Sequence, residues 1–107
     1  MKKGDIILVP FPFTDLTGNK LRPALALTVS EMDVTVAFIT TQIQWKETTD
    51  ILLKPTPINR LKKESLIRLS KFATIDKDLI VGKLGCIDEE TTKLLNSNLK
   101  TILKLNE

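Results

Sequence analysis

Lys20-Leu21-Arg22-Pro23-Ala24-Leu25-Ala26-Leu27 reads as a strand with a charged mouth. Proline fixes its own φ and pushes the residue before it towards extended conformation, so Arg22 is held at the strand's opening. Small and β-forming residues follow. Upstream, Thr14-Asp15-Leu16-Thr17-Gly18-Asn19 is a turn-rich loop in which Gly18-Asn19 can take positive φ. A guanidinium on a rigid element at the base of such a loop is suited to gripping a planar anion such as a phosphate. The alternative is a strand-end arginine paired with a surface carboxylate.

Working outward, Gly4 to Phe11 is dense in Ile6, Ile7, Leu8 and Val9 and reads as the preceding strand. Pro10 and Pro12 limit its ladder, which puts the end near Phe11-Pro12-Phe13 at an edge or bulge. Phe11 and Phe13 share a face, either as core packing or as a stacking platform for bases. The strand at Arg22–Ser30 is followed by Glu31-Met32-Asp33, short enough for a hairpin. A β-branched run from Val34 to about Thr41 makes the third strand, with Thr40 on the face of Val34, Val36 and Phe38.

Gln42 to Thr49 reads as a loop, with Trp45 a half-buried anchor or a base-stacking residue. Asp50–Leu53 is a short strand stopped by Lys54-Pro55-Thr56-Pro57, and Ile58–Lys63 has room for one helical turn. Ser65–Ile75 is the longest later strand, but its alternation does not say which face is buried. A turn at Asp76-Lys77-Asp78 leads to a short return, Leu79–Cys86, broken by Gly82 and Gly85. The last element is a helix from Asp88 to Leu103, with Asp88 as N-cap, Glu89 and Glu90 at its positive end and Lys100 and Lys104 at its negative end. Leu95, Leu99, Ile102 and Leu103 form its apolar face, with Leu94 at the edge. Strands first and a helix last give a mainly β fold, a small antiparallel barrel or twisted sheet with helical cover.

At 107 residues the chain reads as one domain, residues 1–107, with a modest core. No apolar run approaches the roughly 20 residues of a membrane span. Met1-Lys2-Lys3-Gly4-Asp5 does not read as a secretion signal, and the single cysteine, Cys86, suits a reducing cytoplasm. The absence of histidine removes the usual base near neutral pH and sets aside a structural zinc site; neither metal nor cofactor is expected. Between Lys54 and Lys71 six basic residues accompany one acid, Glu64, so that segment carries +5 of a chain whose net charge is +3. Such a stretch is either a solvated loop or the footprint of an anionic partner, nucleic acid first.

Four stretches, in order, resemble the MazF/PemK family of toxin ribonucleases. They are Gly4-Asp5-Ile6-Ile7-Leu8-Val9, Leu21-Arg22-Pro23-Ala24-Leu25-Ala26-Leu27, Val36-Ala37-Phe38-Ile39-Thr40-Thr41-Gln42-Ile43, and Ser65-Leu66-Ile67-Arg68-Leu69 leading to Ala73-Thr74-Ile75-Asp76-Lys77. The resemblance implies an SH3-like small β-barrel, a homodimer, a cognate antitoxin, and metal-independent, sequence-selective cleavage of single-stranded RNA, messenger RNA foremost. The family's catalytic arginine and threonine fall on Arg22 and Thr40. Around them, Lys20, Pro23, Thr17, Lys71 and Phe13 are the candidate RNA contacts. The match departs from the family in two places. Thr17 stands where many members carry a glutamate, in a shortened loop whose nearest acid is Asp15, and Lys71 stands where others carry glutamine. Two other readings share the fold: a gyrase poison like CcdB, acting through the C-terminal helix, and an RNA-binding relative that does not cleave.

Overall fold

The computed structural model describes residues 1–11 and 20–105. The alternating apolar runs become strands β1 (Asp5–Phe11), β2 (Lys20–Val29), β3 (Asp33–Thr40), β4 (Ile51–Leu53), β5 (Ser65–Asp76) and β6 (Gly82–Cys86), followed by helix α1 (Glu89–Leu103). They form one curled antiparallel sheet in the order β4-β5-β3-β2-β1-β6. Ser30 closes the β2–β3 hairpin: its backbone N–H donates to the Asp33 carbonyl at 2.9 Å, and its hydroxyl accepts from the Asp33 N–H at 3.2 Å.

The prolines mark where strands lose a neighbour. β6 pairs with β1 only as far as Leu8↔Gly82, so among the described residues Pro10 has β2 alone beside it. On the other side, the β2–β3 ladder stops at Ala24↔Phe38, one residue after Pro23. Proline has no N–H to give a ladder, and both prolines sit where none is required.

Apolar side chains bury on both faces of the sheet. On one, Ile6, Leu25, Ala37, Ile39, Ile67 and Leu69 pack with Leu95 of α1, and Leu99 and Ile102 lie against them. On the other, Ile7, Val9, Ala24, Ala26, Val34, Val36 and Ile75 form a second cluster, with Val29, Phe38, Ala73 and Ile80 packed against it. Burying each of the larger aliphatic side chains stabilises the fold by about 1.5–3 kcal/mol. Leu103, expected on the helix's apolar face, is largely exposed, because eight residues on from Leu95 is about 80° further round the helix.

β5 changes faces partway along. Opposite the single step Ala37–Phe38 of β3, its register passes from Phe72 to Arg68, so Leu69, Ser70 and Lys71 bulge out of the ladder. Three extra residues reverse the alternation. Ile67 and Leu69 therefore join the helix-side cluster, whereas Ala73 and Ile75, of the same parity, join the other. No single alternation could have named the buried face of this strand.

The helix is capped as its sequence demands. Asp88 accepts from the Thr91 N–H at 2.7 Å, and hydrogen bonds from Thr91 hold its carboxyl below the usual aspartate value. Lys104 ends the helix in left-handed conformation, φ 56°. Two expectations shift. The helical turn placed at Ile58–Lys63 is instead a single hydrogen-bonded turn closed by Arg60 N–H to the Thr56 carbonyl, with Arg60 at φ 57°. Buried Asn59 organises it, its Oδ1 accepting from Thr56 and Leu61 N–H and its amide donating to the Lys54 carbonyl. The glycines said to break the return strand are part of β6, and Gly85 lets the turn lie against it. A Cβ there would stand 2.3 Å from the Ile58 carbonyl oxygen.

Two consequences are measurable. Gly85→Ala should destabilise the protein by about 1–3 kcal/mol in denaturant titrations, whereas Gly82→Ala, with nothing within 4 Å of the added carbon, should be nearly silent. Asp5 is buried, and burial alone would raise its pKa. The Lys2 N–H at 3.0 Å and the Lys83 ammonium at 3.3 Å outweigh burial and hold it below 3.8. A depressed carboxylate stabilises the fold above its unfolded pKa and loses that contribution as pH falls through the folded value. The stability difference between wild type and Asp5→Asn should therefore be full at neutral pH and shrink below about pH 4.

Candidate active site

Beyond Ala24↔Phe38 the two strands continue without a ladder. Two residues further along each, Arg22 and Thr40 stand across from one another, on the face that carries Ala24 and Phe38. A half-open cavity of about 350 Å³ occupies this end of the sheet. Arg22 and Thr40 line it with Lys71 and Arg68, Phe38 gives it an apolar wall, and Trp45 stands at it with 58% of its surface exposed. The small side chains of Ala24 and Ala26 extend the same face inward.

Thr40 is oriented by its own chain. Its hydroxyl oxygen accepts from the Gln42 N–H at 3.1 Å, which leaves the hydroxyl proton to be donated elsewhere. Ile43–Trp45 then form a 3₁₀ turn that carries Trp45 to the cavity. Arg22 is exposed, and no carboxylate among the described residues lies within ion-pairing distance of it. The alternative of a strand-end arginine neutralised by a surface acid is not what these residues show.

Arg68 and Lys71 reach the cavity through the bulge. Three residues apart in a regular strand, they would face opposite sides of the sheet. The bulge brings both to one place, Arg68 in register with Phe38 and Lys71 from the looped-out segment. Behind Arg68 lies a fully buried carboxylate. Asp50 Oδ2 is 3.0 Å from Arg68 Nε and accepts from the Glu47 N–H at 3.0 Å, while Oδ1 accepts from the Leu69 N–H at 3.0 Å. Glu47 Oε1 lies 3.4 Å from Arg68 Nη2.

Of the residues singled out in the sequence, Arg22, Thr40 and Lys71 thus share one cavity. Lys20 is exposed at the start of β2 and does not line it, and neither does Pro23, which alternation turns away from Arg22. Thr17 and Phe13, with Asp15, lie outside the described residues. Arg68, Phe38 and Gln42 also line the cavity and were not anticipated as site residues. The +5 segment contains Arg68, yet a strand-period reading could not bring it to Lys71's side. With three cations and no carboxylate among its described lining, the cavity is built for an anion. No group of three or more potential metal-ligating His, Cys, Asp or Glu side chains occurs among the described residues.

Residues 2–103 match the family described as PemK-like, MazF-like toxin of type II toxin-antitoxin system. No curated protein matches the chain. Among solved structures, an endoribonuclease from a mycobacterial species, in complex with its cognate antitoxin, is similar at 18% identity and TM-score 0.76, over 100% of this chain and 98% of that one. Mycobacterium tuberculosis toxin MazF-mt6 is similar at 21% identity and TM-score 0.77, over 96% of this chain and 99% of that one. A further endoribonuclease from a mycobacterial species is similar at 20% identity and TM-score 0.73, over 100% and 94%. At these identities the likeness to the solved structures is one of fold.

Asp50→Ala removes the partner of Arg68 and the acceptor of two backbone N–H groups at once. It should cost about 3–5 kcal/mol in denaturant titrations, and Asp50→Asn, which keeps one oxygen acceptor, should cost less.

Proposed function

Because the chain belongs to the PemK-like, MazF-like toxin family of type II toxin-antitoxin systems, we propose that it is an endoribonuclease that cuts single-stranded RNA at this cavity. The observation that carries the reading is Arg22 and Thr40 opposed across the open end of the β2–β3 ladder, in a cavity whose described lining is cationic. The reaction uses the RNA's own 2′-hydroxyl. Its oxygen gives up a proton and bonds to the neighbouring phosphorus, the bond to the 5′-oxygen breaks, and that oxygen is protonated. A cyclic phosphate and a 5′-hydroxyl remain.

This chemistry does not require histidine. Arg22 offers paired donors to the non-bridging oxygens, where charge builds up in the transition state. Thr40 adds the hydroxyl proton that its bond to Gln42 N–H leaves available. Lys71 supplies positive charge without the amide that reads a base edge, so it strengthens attraction to the backbone rather than selecting a sequence. The protons pass through water in the half-open cavity. Neither metal nor cofactor takes part.

Selection among RNA sequences, action on messenger RNA in the cytoplasm and assembly as a homodimer belong to the same proposal, and so does neutralisation by a cognate antitoxin. One similar solved structure is an endoribonuclease with its antitoxin bound. An acidic segment of such a partner would meet the same three cations as RNA does.

The test is cleavage of mixed single-stranded RNAs by antitoxin-free protein in EDTA, with cut sites mapped and end groups identified. Wild type is expected to leave 5′-hydroxyl ends. Arg22→Ala should lower kcat about 100-fold or more and Thr40→Ala about tenfold, with circular dichroism unchanged. Well-folded wild type that leaves every RNA intact would overturn the ribonuclease. Toxicity in cells that survives Arg22→Ala but not loss of the end of α1 would point to a protein-binding poison instead.

A further inference from the structure

Arg68 is bound unlike the other cations of the cavity. Its side chain is 12% exposed and Asp50 behind it is fully buried, the two meeting at Arg68 Nε and Asp50 Oδ2 at 3.0 Å. Asp50 is itself held by the N–H groups of Glu47 and Leu69 at 3.0 Å each, so it cannot swing away. Arg68 Nε makes no hydrogen bond among the described residues, so its contact with Asp50 is one of charge, and both Nη groups remain a planar pair of donors. Their one ion-pair partner among the described residues is Glu47, at 3.4 Å and with 57% of its side chain exposed. That contact is long and open to solvent, and it is readily exchanged for another anion. Asp50 is the buried counter-charge of Arg68, and Glu47 occupies its working end only loosely.

Position assigns the anion. Arg22 is on β2 and Arg68 on β5, with β3 and Thr40 between them. Two strand spacings alone separate their backbones by at least about 10 Å, so the two arginines lie on either side of β3 rather than share one point. On the ribonuclease reading, Arg22 and Thr40 hold the phosphate that reacts. We propose that Arg68 binds a neighbouring, non-reacting phosphate of the same RNA strand, which takes the place of Glu47 on the Nη groups. This rests on that reading for the identity of the ligand. It adds a second phosphate site, a residue positioned for it, Asp50, and a carboxylate that must leave, Glu47.

The consequences differ from those at Arg22. A contact to a phosphate that does not react strengthens ground state and transition state alike, so its loss raises KM and leaves kcat nearly unchanged. A dinucleotide, which has only the reacting phosphate, should sense Arg68 much less than a longer RNA does.

The experiment uses a short mixed-sequence RNA with 2′-O-methyl groups, which cannot be cut, titrated at several salt concentrations. Wild type is compared with Glu47→Gln, Arg68→Lys and Arg68→Met. Arg68→Met should weaken binding about tenfold and reduce the slope of log affinity against log salt by about 0.7. Arg68→Lys should restore the slope and only part of the affinity, because an ammonium lacks the planar fork. Glu47→Gln should bind several-fold more tightly than wild type, with the gain lost in the Arg68→Met background. With native RNA, the Arg68 variants should raise KM far more than they lower kcat, and the rise in KM should be smaller for a dinucleotide. Folded Arg68→Met with wild-type affinity and slope would overturn the site. So would Glu47→Gln binding no tighter than wild type, and that variant changes a largely exposed side chain and stays readable if Arg68→Met does not fold. Binding that depends on Arg68 without cleavage of native RNA would keep this site and overturn the ribonuclease.

Discussion

The buried carboxylate of Asp50 is the joint on which the functional end of this protein is assembled. One oxygen takes the N–H of Leu69, the first residue of the β5 bulge, and the other takes Glu47 N–H and lies against Arg68 Nε. Those bonds fix three things at once: where the long strand leaves its ladder, how the segment after β3 returns to β4, and where Arg68 points. A charge taken this far out of water is stable only when its lone pairs are filled. The requirement works in reverse as a constraint on geometry. Backbone and guanidinium must converge on Asp50, and the bulge follows from that convergence.

The bulge in turn makes the cavity cationic. A regular β5 would divide Arg68 and Lys71 between the two faces of the sheet, so only one of them could stand on the side of Arg22. With the bulge, all three cations reach one opening. The opening itself comes from Pro23, which ends the β2–β3 ladder without wasting a donor and lets the strands part where Arg22 and Thr40 face each other. Two local departures from sheet regularity, one from a missing N–H and one from a buried carboxylate, therefore produce a site that no continuous sheet could hold.

This division also explains what could be read in the sequence. The strands, the Asp88-capped helix and the Arg22-Pro23 mouth follow from local rules of propensity, capping and proline geometry, and these survive in the structure nearly residue for residue. Thr40 was assignable to the Phe38 face because β3 keeps its alternation through that end. Arg68 was not, because its place depends on a parity change set by Asp50, eighteen residues earlier in the chain, and nothing in the local pattern Ser65–Ile75 announces it. Asp50 looked like the polar start of a short strand. The turn at Thr56–Arg60 was misplaced for a similar reason, since buried Asn59 and the closeness of Gly85 decide it, not helical propensity. Lys20 and Pro23 flank Arg22 in sequence, but neither lines the cavity, Lys20 because it lies outside its edge and Pro23 because alternation turns it away.

Three cations gathered in one cavity repel one another, and the fold must offset that repulsion before any ligand arrives. Asp50 does so from within, where it is fully buried; Glu47 does so from the rim, where it is exposed and its pairing is weak. The asymmetry matters because a site neutralised wholly from within would have no remaining pull on an anion, and one left bare would strain the fold. Placing the fixed carboxylate behind the arginine and the exchangeable one in front keeps the donors aimed outward and their positive charge on call. The arrangement has no means of telling an RNA phosphate from the carboxylate of an acidic peptide by charge alone. An antitoxin on the proposed reading therefore needs no site of its own: it competes where Glu47 already shows that a carboxylate fits.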